Sequence, residues 1–130
     1  MTPRFIRFAL SAAFALSTPL AAQSLPGVSD EETDIDAGAR GLSQVLFGKG
    51  DVVFVRTARG RWYRVALNQG CTSGNFSRQD PVSFDTALNN RIDKLTVVRF
   101  PRTNRSCSIE SIRASEAPPM MDSKSRVPID

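Results

Sequence analysis

Four arginines, Arg56, Arg59, Arg61 and Arg64, fall within a nine-residue segment that also carries Trp62 and Tyr63. A guanidinium grips a carboxylate or phosphate through two parallel N–H donors and stacks on aromatic faces. These six residues are therefore the side chains of this sequence best suited to recognising an anion. The plainer reading of the same residues is a solvated outer sheet face whose charges discourage edge pairing. The wider charge balance favours an anionic partner, because twelve basic residues stand against five acidic ones between Lys49 and Arg113. Such a domain suits an anionic polymer, a lipid headgroup or an acidic protein face.

Several chemistries are excluded at once. The sequence has no histidine, so it lacks the usual neutral-pH base, the commonest metal ligand and every Ser-His-Asp or Cys-His arrangement. Neither a metal nor a cofactor is expected. An enzyme would have to work with carboxylates, and Asp80, Asp85 and Asp93 are the acids placed for it. A pair of them roughly 5 to 10 Å apart would suit glycoside hydrolysis. Yet Asp80 precedes Pro81, as in a turn, and Asp85 is placed to cap a helical turn. A non-enzymatic domain is the reading carried forward; a small enzyme or enzyme inhibitor acting on envelope substrates is the alternative.

The partner class depends on where the protein works. Arg4 and Arg7 precede a short apolar run from Phe8 to Leu16, and Ser17-Thr18-Pro19-Leu20-Ala21-Ala22 supplies small residues. That order is an export signal, and its apolar run is about half the roughly 20 residues needed to span a bilayer. Cleavage is expected near Ala22, which places the protein in the periplasm or outside the cell and makes nucleic acid an improbable partner. No later segment is apolar enough to span a membrane. In an oxidising compartment the two cysteines, Cys71 and Cys107, are most simply one disulfide.

The elements that must position these residues read as strands. Asp51–Thr57 and Arg61–Leu67 are rich in β-branched and aromatic residues, and Ala58-Arg59-Gly60 between them makes a β-hairpin. Along the second strand Tyr63, Val65 and Leu67 share one face; Trp62, Arg64 and Ala66 share the other. Leu42, Val45 and Leu46 stand at the spacing of one helical turn, and the same stretch also fits a first strand. Ser83–Asn90 suggests a helical turn. Asp93–Phe100 and Ser106–Arg113 read as third and fourth strands, the latter anchored by Ile109 and Ile112.

The hairpin with Arg61-Trp62-Tyr63-Arg64, then Gly70-Cys71, Ser83-Phe84-Asp85-Thr86-Ala87-Leu88-Asn89, Asp93-Lys94-Leu95-Thr96-Val97 and Cys107, resembles a family of small exported bacterial proteins known only as a domain of unknown function. The resemblance spans about Gly48 to Arg113. It implies an exported, β-rich domain and lends no activity; family members often carry further cysteines, which are absent here.

The expected organisation is a signal peptide at 1–22, an acidic disordered leader at 23–40, one β-rich domain at 41–114 and a disordered tail at 115–130. The fold expected is mainly β: a small antiparallel sheet or partly open barrel of four or five strands, with at most one or two short helical turns and one disulfide. The leader places five acids between Asp30 and Asp36, too little apolar surface to offset its ordering entropy. Its charge also fits folding back on the basic hairpin; a solvated spacer is the plainer reading. The function expected is a binding module for an anionic envelope component or protein partner, with Arg56, Arg59, Arg61, Trp62, Tyr63 and Arg64 as the contact surface.

Overall fold

The Val52–Thr57 run becomes β4 and Trp62–Leu67 becomes β5, joined through a turn where Gly60 takes a positive φ of 86°. Gly60 donates its N–H to the Thr57 carbonyl, closing the hairpin. A computed structural model of the protein describes residues 25–118, other than 75, 78, 79, 87 and 88. The signal peptide expected at 1–22 and most of the expected tail, residues 119–130, lie outside the described residues.

The other strands are β1 (Val28–Glu32), β2 (Ile35–Asp36), β3 (Leu42–Phe47), β6 (Ser83–Asp85), β7 (Arg91–Ile92), β8 (Val97–Phe100) and β9 (Arg105–Ser115). Six of the strands form an antiparallel half-barrel in the order β3-β4-β5-β9-β8-β6. The eleven-residue β9 uses both edges: β5 takes one, while β8 and β1 share the other. A separate pair, β2 with β7, sets Ile35 opposite Ile92, and both side chains are fully buried in the core.

The core collects the inward residues of every strand. Val53, Val55, Val65, Val98 and Ile112 are among its members. Phe47, Phe76 and Phe100 form an aromatic triple with ring centroids 5.0 to 5.5 Å apart. Ile109 and Ile112 both point inward although three residues apart. The β5–β9 register shifts by one residue between them, a bulge that turns Glu110 outward. The disulfide Cys71–Cys107, with Cα atoms 6.0 Å apart, ties β9 to the loop after β5. Asp51 anchors the same loop, accepting hydrogen bonds from the backbone N–H groups of Gly70 and Thr72 and from the Thr72 hydroxyl. Arg105 adds bonds to the carbonyls of Cys71 and Ser73.

Several expectations need correction. There are more than four or five strands, and no helix occurs among the described residues. Val28–Glu32 and Ile35–Asp36, expected inside a disordered leader, form β1 and β2. The charge of that segment does not oppose pairing, because the bonds to β9 are made by its backbone. Thr33 donates its N–H to the Ile112 carbonyl and Ile35 is buried. The acids meet Lys94 (Glu32, 2.9 Å) and Arg91 (Asp34, 2.7 Å) rather than the hairpin. Leu42–Phe47 settles as strand β3. Asp85 ends β6 and pairs with Arg99 at 2.6 Å, while residues 87 and 88 of the helical turn expected at Ser83–Asn90 lie outside the described residues. The third strand starts only at Val97, because Asp93 closes a turn in which Thr96 and Leu95 bond back to it. Ser115, assigned to the tail, is the last residue of β9.

Two stability predictions follow from these ties. Replacing both cysteines by alanine frees a loop of 36 residues' separation and should cost about 3 to 4 kcal/mol in a urea titration, on the chain-entropy account. Asp80 gives a pH signature: burial pushes its carboxyl up, but hydrogen bonds from Ser77 and the charge and hydrogen bond of Arg102 outweigh it, so its pKa is lowered. Its stabilising effect is complete above the ordinary carboxylate pKa of about 4 and is lost as pH falls through the lowered folded value. Asp80→Asn should therefore flatten the acid limb of the stability curve, read as urea midpoints below about pH 4.

Candidate functional site

The hairpin divides the six expected contact residues between two faces. Residues on β4 and β5 alternate, with Arg56 opposite Trp62 and Phe54 opposite Arg64. Arg56, Trp62 and Arg64 therefore share the sheet face turned away from the core. Tyr63 stands opposite Val55 and packs half-buried against the core, so it leaves the surface group. Arg59 is exposed in the turn, and Arg61 is exposed just before β5, its backbone N–H bonded to the Thr57 hydroxyl. The guanidinium of Arg56 lies over the turn: a Cβ at Gly60 would stand 3.4 Å from its Nη2.

The same outer face carries a second, smaller apolar cluster. Leu46, Val52 and Phe54 are buried there and Trp62 packs against them. This explains why β4 is buried on both faces and why Trp62 is half-buried rather than free. The aromatic stacking that the hairpin composition suggested occurs elsewhere: among the described residues, the guanidinium groups standing over a ring are those of Arg102 and Arg105, both over Phe76.

A further arginine joins the face from a distant part of the chain. The β5–β9 register places Arg113 directly opposite Arg64. Burial and then the charge of Arg113 lower the Arg64 pKa, although a guanidinium remains protonated at any ordinary pH. Glu32 stands across from Arg113 in the β1–β9 register, yet its carboxylate goes to Lys94. Among the described residues, no carboxylate forms an ion pair with Arg56, Arg64 or Arg113. Like charges directly opposite on a sheet are destabilising. Arg113 was invisible to sequence reasoning, because only the pairing of β5 with β9, anchored by Val65 opposite Ile112, brings it to the hairpin.

The acids that an enzyme would have used have local work. Asp80 holds Ser77 and Arg102, Asp85 pairs with Arg99, and Asp93 closes its turn. Among the described residues no group of three or more His, Cys, Asp or Glu side chains is arranged to hold a metal ion, and no helix is long and apolar enough to cross a membrane. No family model, curated protein or solved structure matches the chain.

The Arg64–Arg113 pair predicts an unusual mutational sign. Arg64→Met keeps the aliphatic stem and removes the charge, so it should raise the urea midpoint at low salt. The gain should be a few tenths of a kcal/mol, up to about 1 kcal/mol, discounted for half-exposure. It should shrink as added salt screens the repulsion. A loss of stability at low salt would show that the two charges are not in conflict.

Proposed function

We propose that this protein is an exported, non-enzymatic binding module that holds an anionic group, of the cell envelope or of a protein partner, against the outer sheet face at Arg64 and Arg113. The observation that carries this reading is the placement of two half-buried arginines at directly opposed register positions, with no carboxylate paired to either among the described residues. The fold bears a repulsion that a bound phosphate or carboxylate would turn into attraction, since an anion between two guanidinium groups gains charge-assisted bonds from both. Arg56, diagonal to Arg64 on the same face, adds to the positive field; Arg59 and Arg61 extend it at the hairpin end.

The export signal read in residues 1–22 and the Cys71–Cys107 disulfide both fit the periplasm or the medium as the place of work. That location favours phosphate-bearing lipids, anionic polymers and acidic protein faces over nucleic acid. The resemblance over Gly48 to Arg113 to small exported bacterial proteins belongs to the same proposal.

The test is thermal. Inorganic phosphate, and separately vesicles containing phosphatidylglycerol, should raise the melting temperature of the processed protein, and added sodium chloride should weaken the effect. In the double variant Arg64→Gln, Arg113→Gln the shift should vanish while the protein remains folded. An equal shift in the double variant, or none in the parent protein, would overturn the proposal. A response to vesicles without one to free phosphate would identify a lipid surface as the source of the anion.

A further inference from the structure

The half-barrel has two edge strands, β3 and β6; among the described residues β3 pairs only with β4 and β6 only with β8. Both edges line one groove of about 290 Å³, in which Leu42 and Val45 of β3 face Val82, Phe84 and Ile92. The barrel is therefore closed on this side by side chains and not by a ladder.

Ladder alternation shows which backbone groups β3 leaves open. Gly48 donates its N–H to the Val52 carbonyl, so Gly48 and Val52 form a hydrogen-bonded pair. Stepping two residues at a time along the register, Leu46–Phe54 and Gln44–Arg56 are also bonded pairs. The N–H and C=O groups of Val45 and Phe47 consequently point away from β4, and Val45 is the one of the two that lines the groove. Beyond a bulge at Ser43, the edge from Gln44 to Phe47 is regular, and it carries none of the lysines, prolines or inward charges that ordinarily guard a free edge.

A second depression, of about 260 Å³, adjoins the groove at Ala37 and is lined by Arg40 and Arg59. Neither arginine forms an ion pair among the described residues. Both lie at the Leu42 end of β3, since Leu42 is opposite Thr57, just before the hairpin turn. A strand running antiparallel to β3 would reach this end with its own C-terminal side.

We propose that this opening is a strand-addition site for an extended peptide segment of a partner protein. The segment would pair antiparallel to β3 through Val45 and Phe47, place alternate apolar side chains in the groove, and end on an acidic residue held by Arg40 and Arg59. Main-chain bonds would supply the affinity, while the groove and the two arginines would supply the selectivity. The site shares Arg59 with the margin of the arginine face, but the strand pairing at β3 does not involve Arg64 or Arg113.

The probe is a fluorescein-labelled pentapeptide, Thr-Val-Thr-Val-Glu, titrated by fluorescence anisotropy into the processed full-length protein. Three companion measurements locate the contact. The same peptide N-methylated at both valines keeps its side chains but loses ladder donors, and should bind roughly tenfold more weakly or worse. A peptide ending in Lys should bind poorly to the parent protein and better to the Arg40→Glu, Arg59→Glu variant. Amide exchange at Val45 should slow when the acidic peptide is added. Absence of a binding isotherm, equal binding of the N-methylated peptide, or indifference to the charge reversal would each overturn the proposal.

Discussion

The structure depends on β9 having a partner on each edge. Its eleven residues take β5 along one side and both β8 and β1 along the other, so the sheet halves meet at a single strand. That strand is fixed from three directions. Cys107 ties it to the loop after β5, the bulge at Glu110 lets Ile109 and Ile112 both enter the core, and Arg105 at its start grips the carbonyls of Cys71 and Ser73. Because the elements it joins are distant in sequence, ordering β9 closes long loops, whose entropic cost the disulfide reduces in the unfolded chain.

Register on β9 then decides which charges are left over. Exposed ion pairs add little stability individually, but they sort the cations. Arg91, Lys94, Arg99 and Arg102 are taken by Asp34, Glu32, Asp85 and Asp80. Arg105 is occupied by carbonyls. Among the described residues, the arginines without an ion pair, Arg40, Arg56, Arg59, Arg61, Arg64 and Arg113, lie on or beside the β4–β5 hairpin. The segregation of charge is thus a consequence of strand pairing: β1 and β2 deliver the acids to Lys94 and Arg91, far along the chain from the hairpin, and the positive face remains.

This explains which parts of the molecule could be read from residues alone. The hairpin was legible because β-branched and aromatic residues flank a short turn with Gly60 at positive φ, all within local sequence. The disulfide was legible from the presence of two cysteines together with the expectation of an oxidising compartment. β1 and β2 were not, because composition describes side chains while their pairing is made by backbone; only Ile35 signalled a buried anchor. The partner of Asp85 was hidden for a related reason: only the pairing of β6 with β8 places Arg99 beside it. Arg113 could not be joined to the hairpin without the β5–β9 register, and Tyr63 could be removed from the surface only by knowing which face the core takes.

The two proposed surfaces owe their existence to different constraints. The arginine face is fixed by pairing: Arg64 and Arg113 cannot leave their opposed backbone positions unless β5 and β9 change register, which would also lift Val65 and Ile112 from the core. The groove exists because closure stops one step short. Among the described residues β6 and β3 form no ladder with each other, and Ile35 and Ile92 of the separate β2–β7 pair help fill the core. Substitutions in the core should therefore reach both surfaces through stability. Substitutions in β2 and β7 should act first on the groove, because that pair borders it and makes no ladder contact with the arginine face.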